Sequence, residues 1–226
     1  MAATEARDSD QIEAARGRVA EAGRRLADKG LVIGTGGNVS ERVGDRIAIT
    51  ATGAVLDDLT PEGVSVVDLD GRHTAGELEP SSELFLHLGV YDRYDAGAVI
   101  HTHSPVGTAL SCVLDEVPCV HYQMLLLGGS VPVASYRTFG TPELAEVTLA
   151  ALEGKTAALM ANHGAIVYAR DLTHAVDNTL LLEWACTVYW RAAAVGNPHA
   201  LDQASQMAVV EAAVARNYGS TQKAQT

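Results

Sequence analysis

The sequence predicts one α/β domain built on a largely antiparallel central sheet flanked by helices. Short apolar runs separated by turn residues recur through the middle of the chain, which favours strands joined as hairpins. Stripes at i, i+3 and i+4 spacing mark helices at both ends and between the strands. The 226 residues carry no internal repeat and no linker, and 47% hydrophobic with 19% charged residues suits a globular chain with a sizeable core. The domain is expected to span 1–226, with 1–8 and 219–226 as flexible tails.

In chain order, Ile12, Ala15, Val19, Ala22 and Leu26 form a stripe that predicts a helix over about 10–29, stopped by Gly30. Gly34-Thr35-Gly36-Gly37-Asn38-Val39-Ser40 follows. Its glycines either make a tight turn before a hairpin, the simpler reading, or bring backbone N–H groups close to a ligand. The run lacks both the Lys-Ser/Thr ending of a nucleotide phosphate loop and the spacing of a dinucleotide fold. A hairpin at Gly44-Asp45 leads into a strand over 46–50, broken by Ala51-Thr52-Gly53-Ala54. A strand over 65–69, an Asp70-Gly71 turn and a strand or loop over 72–80 come next. Ser81 or Ser82 caps a helix running to about 93, whose N-terminus is receptive to anions. Glu83, in its first turn, is favourable for the helix alone. The run Ala98-Val99-Ile100 ends at His101-Thr102-His103, and Ser104-Pro105 starts a helix to about 114. Pro132 marks 131–134 as an edge-type strand, and Thr141-Pro142 opens a helix ending near Gly154. Buried strands over 157–160 and 165–168 are joined by Asn162-His163-Gly164, and helices over about 173–194 and 202–216 close the chain.

A net charge of −12 removes the usual electrostatic footprint of a nucleic-acid binder. A phosphate ligand would have to rely on local N–H groups, hydroxyls or a cation. The most apolar late stretch, 180–195, is interrupted by Glu183 and Arg191 and is too short and charged to span a bilayer. The first ten residues show no apolar secretion segment. Cys112, Cys119 and Cys186 are sparse, odd in number and without CxxC spacing, so reduced thiols in a cytoplasmic protein are expected.

Histidine placement carries the chemistry. In an extended backbone residues i and i+2 share a face, so His101 and His103 project side by side. His163 stands at the end of another strand-like run. Three neutral imidazoles suit Zn²⁺ and leave a fourth position open. His87, four residues after Glu83 on the same helical face, is expected to make a supporting hydrogen bond. His73, His174 and His199 read as exposed or capping, and His121 fits either role.

Gly36-Gly37-Asn38-Val39-Ser40, Thr52-Gly53, Pro80-Ser81-Ser82-Glu83-x-x-x-His87, His101-x-His103, His121-Tyr122, Thr138-Phe139-Gly140-Thr141 and Asn162-His163-Gly164 occur in this order. Together they resemble the class II aldolase/adducin family over about residues 12–218. The resemblance implies a zinc-dependent aldolase that reversibly cleaves an L-fuculose-1-phosphate-like ketose 1-phosphate to dihydroxyacetone phosphate and a short aldehyde through a metal-stabilised enediolate. It implies one Zn²⁺ per subunit on His101, His103 and His163, with Glu83 as the acid/base that also reaches the metal. Asn38, Thr52, Gly53, Ser81 and Ser82 would hold the phosphate. Tyr122 would act across a subunit interface of a homotetramer, and Tyr218 would belong to a closing tail.

Such a zinc ion fits a reaction that leaves negative charge on two oxygens, and a carboxylate fits the proton transfer at C3. No lysine holds a motif position, which disfavours Schiff-base chemistry. Ala51 stands where the family often has proline, which loosens the phosphate loop, and Thr102 separates the histidines and should point away from the metal. The rival enzyme readings are a sugar-phosphate 4-epimerase, which usually carries aspartate at the place of Glu83, and a lyase acting on (methylthio)ribulose phosphate. The rival from another class is a non-catalytic adducin-like interaction domain, which the intact histidines and Glu83 oppose.

Overall fold

The computed structural model describes residues 2–216 and 218. Nine strands form its sheet: β1 Asn38–Val43, β2 Arg46–Thr50, β3 Val64–Asp68, β4 His73–Ala75, β5 Ala98–Thr102, β6 Glu116–Val117, β7 Val131–Ala134, β8 Ala157–Met160 and β9 Gly164–Ala169. Their order is β4-β3-β2-β1-β5-β9-β8-β7-β6, and every pairing is antiparallel except the parallel β7–β8. The helices are α1 Ala2–Asp28, α2 Leu84–Arg93, α3 Pro105–Ser111, α4 Pro142–Ala151, α5 Leu172–Val195 and α6 Gln203–Ala215. Among the described residues none is long and apolar enough to cross a membrane.

Strand alternation sorts the core into two layers. Ala98 and Ile100 of β5 pack with Val39 and Ala48 beneath α1 and the start of α5. Val99 faces the other way, with Ile47, Ile49 and Ile166 against Leu86 and Val90 of α2 and Leu144 of α4. Ala157, Leu159, Ala165 and Val167 meet Leu110 of α3 and Leu182 and Ala185 of α5. Because helices cover both faces, central strands read as unbroken apolar runs even though their neighbours are antiparallel.

Several boundaries differ from expectation. α1 begins at Ala2, not near residue 10: Ala2, Ala3, Glu5, Ala6 and Arg7 are strong helix formers and extend the helix beyond its apolar stripe. The expected tail 219–226 lies outside the described residues. α2 is capped at Glu83 without a side-chain bond, and Ser81 Oγ instead accepts the Glu83 N–H at 3.2 Å. β7 is not an edge strand, because the two-residue β6 pairs outside it through Glu116↔Pro132 and Val117↔Val131. A two-residue strand has no alternation to read. Thr141 caps α4 and Asp202 caps α6, as their sequences require.

Candidate active site

Antiparallel register brings four strand ends to one rim of the sheet. Asn38 at the start of β1 lies opposite His101 near the end of β5, Ile166 of β9 lies on the other side of His101, and Met160 pairs with Gly164 across the β8–β9 turn. That turn carries His163, and Asn162 takes the left-handed conformation (φ 55°) that closes it.

His101, His103 and His163 converge there, each offering a ring nitrogen within 4.8 Å of the others. The Nε2 atoms of His101 and His103 are 3.0 Å apart. His101 is fully buried, and its Nδ1–H donates to the Ala165 carbonyl at 2.9 Å, so Nε2 is the nitrogen aimed into the cluster: it carries a proton towards Glu83 when the ring is charged and a lone pair when a cation replaces that proton. Glu83 completes the group, with Oε2 3.2 Å from His101 Nε2 and Oε1 3.4 Å from His163 Nε2. Oε2 also accepts from Asn38 Nδ2 at 2.9 Å, whereas Oε1 is buried without a hydrogen-bond partner among the described residues. Three nitrogens, one of them tautomer-fixed, beside an orphaned carboxylate oxygen fit a divalent cation by donor chemistry and by unmet valence.

Burial, helped by His101, lowers the pKa values of His103 and His163 to about 4, so both are neutral at pH 7. Burial alone would raise the Glu83 pKa. The charge and hydrogen bond of His101, the Asn38 amide and His163 outweigh it and hold the carboxyl well below the usual range. His87, wholly buried, is lowered to about 3 by burial and then by His101, against a raising effect of Glu83. Unfolded histidine titrates near 6.5, so below that pH the unfolded chain gains a proton that folded His87 refuses until about 3. Stability is therefore complete above about pH 6.5 and falls as pH drops towards 3. In chelator, urea unfolding at pH 7 and 4.5 should show a loss larger by about 2–3 kcal/mol in the wild type than in His87→Gln. An equal loss in both would refute the buried neutral state.

Glu83, His103 and His163 floor a cleft of about 480 Å³ lined also by Thr35, Gly36, Gly37, Asn38, Thr52, Gly53, Ser81 and Ser82, while His101 is buried beneath them. A larger groove of about 850 Å³ near Arg16, Asp58 and Glu62 contains none of the converging histidines, so size does not identify the site. The glycine run is both a turn and a wall: a Cβ on Gly36 would lie 2.5 Å from His103 Nδ1. At Gly164 a Cβ would meet the Thr102 carbonyl at 2.3 Å and His103 Cδ2 at 2.9 Å. Gly164→Ala should thus cost about 3 kcal/mol and weaken metal binding together, measured by denaturation and metal titration. Unchanged values in both would show that the turn is not packed as described.

Tyr122 and Tyr218 do not line this cleft within the chain; their hydroxyls meet each other at 3.1 Å. His121 accepts from the Gln123 N–H and packs edge-on against Trp184. Asn38 lines the cleft, but its amide is committed in part to Glu83 and His87. Tyr136 and Arg137 also line it, unforeseen from sequence, as does Phe139, whose motif was legible but whose place in the wall was not. They sit between β7 and α4 in a loop without periodicity, where only an exposed aromatic cluster would have marked them.

A rim-mounted three-histidine group with an adjoining carboxylate has the donor set of a metal-centred enzyme site. The class II aldolase and adducin N-terminal domain model matches residues 17–190. The 5-methylthioribulose-1-phosphate/5-deoxyribulose-1-phosphate aldolase of Rhodospirillum rubrum is 37% identical over 193 residues, covering 84% of this chain and 87% of that one. The L-fuculose phosphate aldolase of Escherichia coli K12 is 38% identical over 183 residues, covering 80% and 85%. A solved L-fuculose 1-phosphate aldolase superposes with a TM-score of 0.84 at 33% identity, covering 88% and 95%. The chain belongs to the class II aldolase/adducin family, and it is a metal-dependent aldehyde-lyase.

Proposed function

We propose that this enzyme cleaves a ketose 1-phosphate, L-fuculose-1-phosphate-like, to dihydroxyacetone phosphate and a short aldehyde, with one Zn²⁺ per subunit. The observation that carries the reading is the Glu83 oxygen without a hydrogen-bond partner among the described residues, beside three converging histidines of which His103 and His163 line a cleft rich in hydroxyl and N–H donors. His101, His103 and His163 would hold the cation, with Glu83 in reach, and when bound it supplies Lewis acidity to oxygens that gain negative charge.

In cleavage the C4 hydroxyl gives up its proton by way of Tyr122 to solvent, the C3–C4 bonding pair passes to C3, and C3 takes a proton from Glu83, which is a carboxylate at rest, gains that proton from solvent during the turnover and ends as a carboxylate again. Glu83 holds and delivers that last proton, and removes it in the synthetic direction. Thr52, Gly53, Ser81, Ser82 and the remaining N–H of the Asn38 amide orient the phosphate, in a cleft with no lysine among its described lining residues. Tyr122, outside this chain's own cleft, is assigned to the C4 hydroxyl of a neighbouring subunit in a homotetramer, with Tyr218 beside it. The exposed Trp184 and Trp190, and the Met207, Val210 and Val214 side chains on α6, support such contacts. Three free cysteines suit a cytoplasmic enzyme.

A coupled assay for dihydroxyacetone phosphate over L-fuculose 1-phosphate, 5-deoxyribulose 1-phosphate and 5-methylthioribulose 1-phosphate, with and without chelator, tests the reading. Chelator-sensitive release from at least one is expected. No release from any of the three, with metal bound, would overturn it.

A further inference from the structure

Behind Glu83 and Asn38 lies a file of buried polar side chains, His87, Ser40 and Tyr91, that the reaction itself does not use. Tyr91 and His87 stand one turn apart on α2, and Asn38 and Ser40 stand two apart on β1, so each pair shares a face. The Tyr91 hydroxyl is 2.8 Å from Ser40 Oγ, Ser40 Oγ is 2.7 Å from His87 Nδ1, His87 Nε2 is 2.5 Å from Asn38 Oδ1, and Asn38 Nδ2 is 2.9 Å from Glu83 Oε2. All five side chains are buried.

The direction of every bond follows from its end point. An ionised carboxylate only accepts, so Asn38 must present its NH₂ to Glu83 and its oxygen to His87. His87 must then carry its proton on Nε2, which leaves Nδ1 as an acceptor for the Ser40 hydroxyl. Ser40, having spent its hydrogen, accepts from Tyr91. No alternative orientation satisfies all four contacts with a neutral imidazole.

We infer that Tyr91, Ser40 and His87 are positioning residues that lock the Asn38 amide, and through it Glu83 Oε2, so that Oε1 alone is free to exchange a proton with substrate. Unlocked, the amide loses the bond that fixes its plane, its N–H is no longer held on Glu83 Oε2, and Glu83 leaves its working rotamer. The inference rests on the acid/base reading of Glu83 given above.

His87→Leu removes the lock and should lower kcat about 10- to 100-fold with KM within twofold and metal content unchanged. His87→Gln, whose amide can donate to Asn38 and accept from Ser40, should recover most of the loss. Tyr91→Phe, at the far end, should change kcat less than about threefold. Equal kcat in wild type and His87→Leu, or equal losses in the Leu and Gln variants, would overturn the inference. An independent readout needs no activity: ¹⁵N NMR of histidine-labelled wild type, metal-loaded, should show His87 neutral with its proton on Nε2. A proton on Nδ1, or on both nitrogens at pH 7, would refute the chain even where cleavage is normal. Failure of the wild type to cleave any ketose 1-phosphate would sink the functional reading while the NMR result still decides the bonding.

Discussion

Glu83→Gln will abolish turnover, by about 10³-fold in kcat, while the purified variant keeps its metal. The substitution conserves shape and keeps an amide oxygen for Asn38, but it removes the only carboxylate among the described residues lining the cleft. His101, His103 and His163 are untouched, so metal content measured by plasma emission should stay near that of the wild type. The folded state should survive as well, because the buried group loses its charge and its amide oxygen can still accept from Asn38. A variant that turns over as fast as the wild type would remove Glu83 from the proton transfer. A variant that loses its metal as well would make Glu83 an essential ligand first.

His101→Ala should fail in the opposite way, losing the metal and with it activity by about 10³-fold or more. His101 is the fully buried member of the triad, is fixed on β5 by Ala165, and is the shared neighbour of Glu83 and His103. Its loss leaves the Ala165 carbonyl without that partner, at a cost of about 1–3 kcal/mol, and deprives Glu83 of its main compensating partner. Added zinc should not restore activity. Stoichiometric metal in a folded His101→Ala protein would show that the triad is not the binding set.

How much of this was legible depended on periodicity. His101 and His103 could be paired from sequence because strand geometry repeats every two residues, and β5 is a regular strand. His163 was legible only as a strand-end histidine, since its approach depends on β9 pairing with β5 and β8, which no local pattern encodes. Glu83 was hidden by a good alternative: an acid in the first turn of a helix needs no further reason. The supporting bond expected of His87 exists, but it reaches Glu83 through Asn38 rather than directly. β6 and the 3₁₀ turn over Tyr122–Leu127 are too short to leave a pattern, and the wall made by Tyr136, Arg137 and Phe139 is an aperiodic loop. Composition gave no sign of Arg137 either: the net charge of −12 pointed to neutral donors for any anion, whereas the cleft wall carries a guanidinium beside its hydroxyl and N–H groups.

The most direct measurement is hydrogen exchange into dihydroxyacetone phosphate itself, which needs no aldehyde. Metal-loaded protein in D₂O should replace one of the two hydrogens on the hydroxyl-bearing C3, followed by proton NMR. Chelated wild type and metal-loaded Glu83→Gln should replace neither. Exchange that persists undiminished in Glu83→Gln, or in the chelated protein, would contradict a carboxylate working beside a three-histidine metal site.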